Sequence, residues 1–236
     1  MGKDPGWERH GISLSNSEGL MRIHPVNCGL GMAYLVELPQ GLYLCDSGSP
    51  GQAKRILAKM KSLGRSDLKA IWITHAHYDH YGSAAALREQ TGALIGVHPD
   101  DAESLERGLS PLGTAHHYGI LFRPALAVLM HLMPLPVTRP DFALEDGESL
   151  ARFGWDATVL HTPGHTPGHT CLLLPGGIVF AGDLVAGIGR KRLQRLVATD
   201  WSQLPGSLIK LKTACPAWVY TGHSPDPIPG SAWQSG

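Results

Sequence analysis

The chain has 236 residues, 43% of them hydrophobic and 17% charged, which suffices for one sizeable core and excludes a disordered chain. Its 20 Lys and Arg balance its 20 Asp and Glu, so neither the basic excess of a nucleic-acid binder nor a polybasic membrane patch is present. The 13 His are the unusual count, because His is the commonest metal ligand and titrates near neutral pH.

In chain order, residues 21–27, 32–38 and 42–45 are short apolar runs that predict strands. Pro39-Gln40-Gly41 predicts a tight turn between the last two. Residues 46–51 form a turn cluster. Ile56, Leu57, Met60 and Leu63 recur at helical spacing and Gly64 closes that helix. Lys69–Thr74 predicts a strand that ends at His75. A helix over 83–90, a strand over 93–97 and a helix over 100–107 follow.

From Gly108 to Pro140 the chain is rich in Leu, Met, His and Pro, and 121–133 is apolar almost all round. That pattern predicts a helical insertion that is buried or meets another apolar surface. Beyond it, strands are expected at 142–144, 149–152, 157–160, 170–174 and 178–180. A helix over 201–212 and a strand over 217–220 complete the series. The order implies an α/β chain forming a single domain over 1–236, with 108–140 as a cap.

The N-terminal residues carry no apolar run behind Lys3, which reads against a secretory signal. Cys28, Cys45, Cys171 and Cys215 are widely spaced without a CxxC, as expected for reduced thiols in a cytoplasmic protein. The apolar stretch 121–137 is broken by Arg123, Pro124, His131, Pro134 and Pro136, and is shorter than the ~20 residues of a spanning helix.

The strongest chemical signal is His75-Ala76-His77-Tyr78-Asp79-His80, directly after a predicted strand. Three imidazoles and a carboxylate at a strand end suit Zn²⁺, with Fe or Mn as alternatives. Further downstream, His165, Asp183 and His223 each follow a Gly at the end of an element. The bland alternative for the whole set is a series of polar turns with solvated side chains.

In this order, THAHYDH, TPGHT, GD and GH, the sequence resembles the metallo-β-lactamase-fold hydrolases from about Met21 to His223. The resemblance implies a four-layer αββα sandwich with two metal ions at one edge. It implies that His75, His77 and His165 hold one ion and that Asp79, His80 and His223 hold the other, with Asp183 bridging. Asp46 matches an acidic position that orients a ligand His from behind. His169 also fits the pattern after Pro-Gly, but the strand resumes near it, which favours His165.

The other His and Tyr have ordinary readings. His161 is expected to be a hydrogen-bonding loop residue, His24 a strand residue and His98 a loop residue. His116, His117 and His131 are expected on the surface or in a lid, Tyr78 and Tyr118 in packing, and Cys28 as a small buried residue.

The implied activity is hydrolysis of a small ester, lactone or thioester by a hydroxide shared between two Zn²⁺, with Asp79 orienting it and carrying its proton. The partner is thus a small molecule with an electrophilic carbonyl, and neither nucleic acid nor a membrane. The apolar insertion provides a surface for a homodimer.

Where zinc β-lactamases carry Cys or Ser this chain has Asp183, and where acyl-homoserine lactonases often present a Tyr it has Ala186. Where glyoxalase II would show a Tyr two residues after the last ligand His, this chain has Ser224-Pro225, which reads against that activity. A β-lactamase-like amidase, a single-iron persulfide dioxygenase and a metal-stabilised binding protein without turnover are the competing readings.

Overall fold

Residues of the central strands alternate between two apolar surfaces, and this alternation builds the layers. A computed structural model describes residues 13–16, 19–115, 120–121, 124–125, 128, 135–186, 192–193 and 196–234. The strands are β1 (Ser13–Asn16), β2 (Gly19–Cys28), β3 (Gly31–Leu38), β4 (Gly41–Cys45), β5 (Leu68–Trp72), β6 (Leu94–Val97), β7 (Thr114–Ala115) and β8 (Phe142–Ala143). They continue with β9 (Thr158–His161), β10 (Thr170–Leu174), β11 (Ile178–Phe180), β12 (Val185–Ala186), β13 (Arg192–Leu193), β14 (Val197–Ala198), β15 (Trp218–Thr221) and β16 (Ser224–Pro229). The helices are α1 (Ala53–Ser62), α2 (Tyr78–Tyr81), α3 (Ala84–Thr91), α4 (Pro99–Arg107), α5 (Leu204–Thr213) and α6 (Ser231–Gln234).

A seven-stranded sheet runs β1-β2-β3-β4-β5-β6-β8, and a five-stranded sheet runs β16-β15-β11-β10-β9. In β3 and β4, Ala33, Leu35, Leu42 and Leu44 face α1 and α3, joined by Ile56, Met60 and Leu87. Their neighbours Tyr34, Val36, Tyr43 and Cys45 face the second sheet and pack with Val159, Leu172, Phe180 and Tyr220. On the far side, Cys171, Val179 and Val219 meet Leu204 and Leu211 of α5. Both faces of both sheets are covered, so the central strands read as unbroken apolar runs. The αββα sandwich expected from the sequence is the architecture found.

Parallel pairing positions the functional loops. β4 and β5 pair Cys45 with Trp72, so Asp46 and the 74–80 loop leave the sheet at the same end. β11 and β15 pair Phe180 with Tyr220, so Asp183 and His223 each lie three residues past one shared register point. Thr170 N donates to Thr74 O at 2.9 Å and Met32 N to Gly222 O at 2.8 Å, which joins the loops of the two sheets.

Two expectations need correction. Residues 149–152 do not form a strand: Leu150–Phe153 is a 3₁₀ turn, because Ser149 Oγ accepts from Ala151 N and Gly154, at φ 79°, closes it. In the insertion, where burial or contact with another apolar surface is expected, Ile120, Leu121 and Val128 are exposed, which overturns burial for these side chains. His98 lies in the loop before Pro99 as expected, and there it caps α4, its Nδ1 accepting from Asp100 N. The readings on His116, His117, Tyr118 and His131 lie outside the described residues. Strand β16 was not anticipated, since its SPDPIP sequence is proline-rich, and it pairs with β15 alone at a sheet edge. Among the described residues no helix is long and apolar enough to cross a membrane.

Candidate metal centre

The backbone supplies the first donors as β5 ends. His75 follows β5 in a bend and His77 in extended conformation, which brings their rings 4.7 Å apart, while the single turn α2 swings Asp79 and His80 under the same edge. His165 arrives on the β9–β10 loop, where Gly164 at φ 127° allows the turn. Asp183 follows Gly182, at φ 46°. Gly222, before His223, was expected to serve a sharp turn; instead a Cβ there would lie 2.1 Å from Asp183 Oδ1, so close approach requires it.

The seven anticipated side chains converge. His75, His77, His165 and Asp183 present donor atoms within 4.8 Å of one another, and so do Asp79, His80 and His223. His75 Nε2, His77 Nδ1 and His165 Nε2 form a triangle with edges of 3.0, 3.1 and 3.2 Å. Asp183 lies between the groups. Its Oδ2 is 2.9 Å from His223 Nε2 and 3.6 Å from His165 Nε2, and its Oδ1 is 3.5 Å from His80 Nε2.

Each imidazole is fixed from behind. The nitrogen facing away from the centre meets an oxygen: His75 Nδ1 with Thr74 Oγ1 at 2.9 Å and His77 Nε2 with Pro111 O at 2.9 Å. His165 Nδ1 meets Val197 O at 3.0 Å, His80 Nδ1 meets Asp46 Oδ2 at 2.8 Å, and His223 Nδ1 meets Leu30 O at 2.8 Å. Carbonyls and carboxylates only accept, so the outward nitrogens of those four His carry the proton. Thr74 Oγ1 donates to Asp46 Oδ2 and thus accepts from His75 as well. Asp46 sits at φ 58°, a left-handed conformation that Asp tolerates better than most residues.

Charge divides the two groups. Burial holds His75, His77 and His165 below the ordinary imidazole range, and neighbouring imidazoles push His75 and His165 lower still. Burial also opposes charge on His80, but Asp183, Asp46 and Asp79 outweigh it and raise it well above that range. Asp183 lifts His223 to about 9. Burial would raise Asp183, yet His223 and His80 hold it well below the usual carboxylate value.

Cations fit these residues. Three nitrogens bound at ~2.0 Å in a tetrahedral site lie about 3.3 Å apart, close to the observed edges. His80 Nε2 and Asp183 Oδ1 are buried without a hydrogen-bond partner. A third group, His98, Asp100 and His161, also brings donors within 4.8 Å, but the His98 and His161 rings stack at 3.9 Å and 13°, so their lone pairs lie in parallel planes and do not converge. His161 is not the loop residue expected but the last residue of β9, paired with Thr170; the expected hydrogen bond is there, Nε2–H donating to Pro167 O at 2.9 Å. His169 is fully buried, and its Nε2 accepts from Asp183 N at 3.2 Å. It supports the Asp183 loop, and burial keeps it neutral, with a pKa of about 3.

Sequence reasoning missed Asp101, whose carboxylate accepts from Ala76 N, Thr166 Oγ1 and Gly168 N. It reads as one of two acids opening a helix, a common role, and nothing local marks it otherwise.

Comparison with known proteins identifies the family. The profile of the family described as "Metallo-beta-lactamase superfamily" matches residues 26–223. The Bacillus subtilis protein named "Probable metallo-hydrolase YflN" is 26% identical over 96% of this chain and 91% of its own length. A Pseudomonas aeruginosa "Hydroxyacylglutathione hydrolase" is 31% identical over 62% of this chain, which spans 45% of that relative's length. The human "Acyl-coenzyme A thioesterase MBLAC2" is 25% identical over 74% of this chain and 60% of its own length. Among solved structures, TTHA1623 in a di-iron-bound form superposes with a TM-score of 0.67 at 32% identity, covering 89% of this chain and 96% of that one. The BLEG-1 B3 metallo-beta-lactamase superposes at 0.71 and 24% identity over 91% of this chain and 97% of its own, a likeness of fold.

Proposed function

The chain belongs to the metallo-beta-lactamase superfamily, and from that premise we propose a metal-dependent hydrolase in which seven donors hold two divalent ions, zinc foremost, and a small thioester, ester or lactone is cleaved. The whole chain acts as one domain, with 108–140 as its cap. The observation that carries the reading is the set of five imidazoles, each with its outward nitrogen committed to an oxygen and its inward nitrogen turned to a shared space.

In this reading His75, His77 and His165 hold one ion, Asp79, His80 and His223 the other, and Asp183 spans both. An all-imidazole and carboxylate set suits zinc, and iron or manganese also accept it. When bound, such a pair supplies a water acidified toward neutral pH and a Lewis acid for the substrate carbonyl. Asp79, with Oδ2 3.9 Å from His223 Nε2 and its side chain largely buried, orients the attacking water, takes up its proton and returns it to the leaving oxygen or sulfur.

The acyl side of the substrate lies toward the insertion. Pro111 O and Val197 O, which hold His77 and His165, sit on either side of the β7–β14 pairing, so the rim is tied to the centre. Exposed Ile120, Leu121 and Val128 follow along that segment and offer apolar surface. Two relatives named for acyl substrates, the hydroxyacylglutathione hydrolase and the acyl-coenzyme A thioesterase, support a carbonyl substrate of this class.

The test is a panel of an acyl thioester, a lactone, a carboxylic ester and a cephalosporin, assayed with zinc-loaded and chelator-stripped protein. Turnover of one of the first three, lost on stripping and restored by zinc, is the expected result. Turnover of the cephalosporin alone, or inertness toward all four with two ions bound, overturns the reading.

A further inference from the structure

We infer that Asp101 is a positioning residue that clamps the two loops carrying the three-imidazole group, an inference that rests on the two-ion reading above. Asp101 lies in the first turn of α4, outside both donor groups, and its residue exposure is 1%. Oδ2 accepts from Ala76 N at 2.8 Å and from Thr166 Oγ1 at 2.7 Å, and Oδ1 accepts from Gly168 N at 2.8 Å. Ala76 is the residue between His75 and His77, Thr166 follows His165, and Gly168 precedes His169. One carboxylate therefore holds the backbone between His75 and His77, the side chain next to His165, and the backbone beside the residue that supports Asp183.

The local chemistry favours a carboxylate over any neutral side chain. Three donors converge on one buried point, and a carboxylate accepts at both oxygens without presenting a donor of its own. The first turn of a helix also favours negative charge. Gly168 lets the loop approach: a Cβ there would lie 2.7 Å from Asp101 Cγ. The two loops belong to different sheets; Thr170 N also joins them through Thr74 O, but Asp101 is the link that reaches the residues next to His77 and His165.

The experiment is cobalt(II) titration of the full chain, followed by the visible d–d band, in two backgrounds. His223→Ala leaves the three-imidazole group intact, and His77→Ala leaves the Asp79/His80/His223 group intact. In the first background Asp101→Ala is expected to weaken cobalt binding ten- to hundredfold, the usual effect of losing a support behind a ligand. In the second, binding changes less than threefold. Asp101→Asn, which keeps one oxygen for Ala76 N and Thr166 Oγ1, recovers most of the loss.

If Asp101→Ala does not fold, Thr166→Val removes one donor at constant shape and is expected to weaken the three-imidazole group severalfold. A lower melting temperature with unchanged cobalt affinity in the first background, or no effect of Thr166→Val when it alone is testable, overturns the clamp. Two ions on the unsubstituted chain together with that null result sink the clamp alone, whereas no cobalt on the unsubstituted chain sinks the clamp and the two-ion reading together.

Discussion

Asp46 Oδ2 accepts from His80 Nδ1 at 2.8 Å, and this bond turns His80 Nε2 toward Asp183 Oδ1, 3.5 Å away. The same carboxylate accepts from Thr74 N and Thr74 Oγ1, and Thr74 in turn meets His75 Nδ1. One acid outside the donor set thus orients a donor in each group. Asp46→Ala is expected to weaken retention of the ion held by His80 about ten- to hundredfold. Competition with a coloured chelator measures this, and unchanged retention would show that His80 is oriented by packing alone.

His77→Ala removes a donor and should strip the ion of the three-imidazole group and activity with it. His161→Ala removes a ring that bonds Pro167 O and stacks on His98, and should leave most of both. Elemental analysis and turnover on the two variants give the comparison. Equal damage from both would mean that the donor loop is misassigned.

Gly222→Ala tests the crowded approach at Asp183. The new Cβ would meet Asp183 Oδ1 at 2.1 Å and His80 Cε1 at 2.6 Å, so the Asp183 carboxylate must move. The expected outcome is a large loss of turnover with a stability cost of about 1–3 kcal/mol, typical of overpacking. Chemical denaturation and kinetics read the two separately; full activity would contradict the placement of Asp183.

The ion-free chain should be most stable near pH 6.5. His75, His77 and His165 have folded pKa values below the ordinary one, so the unfolded chain binds more protons and stability falls as pH drops below about 6.5. His223, raised to about 9, contributes fully below about 6.5, and that contribution fades as pH climbs through 9. Loading the Asp79/His80/His223 group must also expel protons, so its metal affinity rises with pH over the same interval. Melting curves of stripped protein from pH 5 to 10 give the profile. A His223→Gln variant that keeps the full alkaline decline would contradict the assignment.

Much of this was legible in the sequence because the signals were local. Residues 170–174 and 178–180 are apolar on both faces, which is what strands between two covered surfaces require. The donors stand out because His75, His77, Asp79 and His80 crowd one strand end. What escaped depends on contacts between distant segments. Asp101 touches loops 25 and 65 residues away, and its neighbours in PDDAES suggest only a helix start. Gly222 looks like a turn residue until the Asp183 side chain is placed against it. Residues 149–152 fall in a series of short strands and read as one of them, but Ser149 and Gly154 cap a turn. The apolar run of the insertion predicted burial or an apolar partner surface, and Ile120, Leu121 and Val128 face outward.

Elemental analysis of extensively dialysed, zinc-reconstituted chain tests the central claim most directly. The account predicts two transition-metal ions per chain, falling to one in His223→Ala as in His77→Ala. No retained ion, or one ion that neither substitution removes, would contradict it.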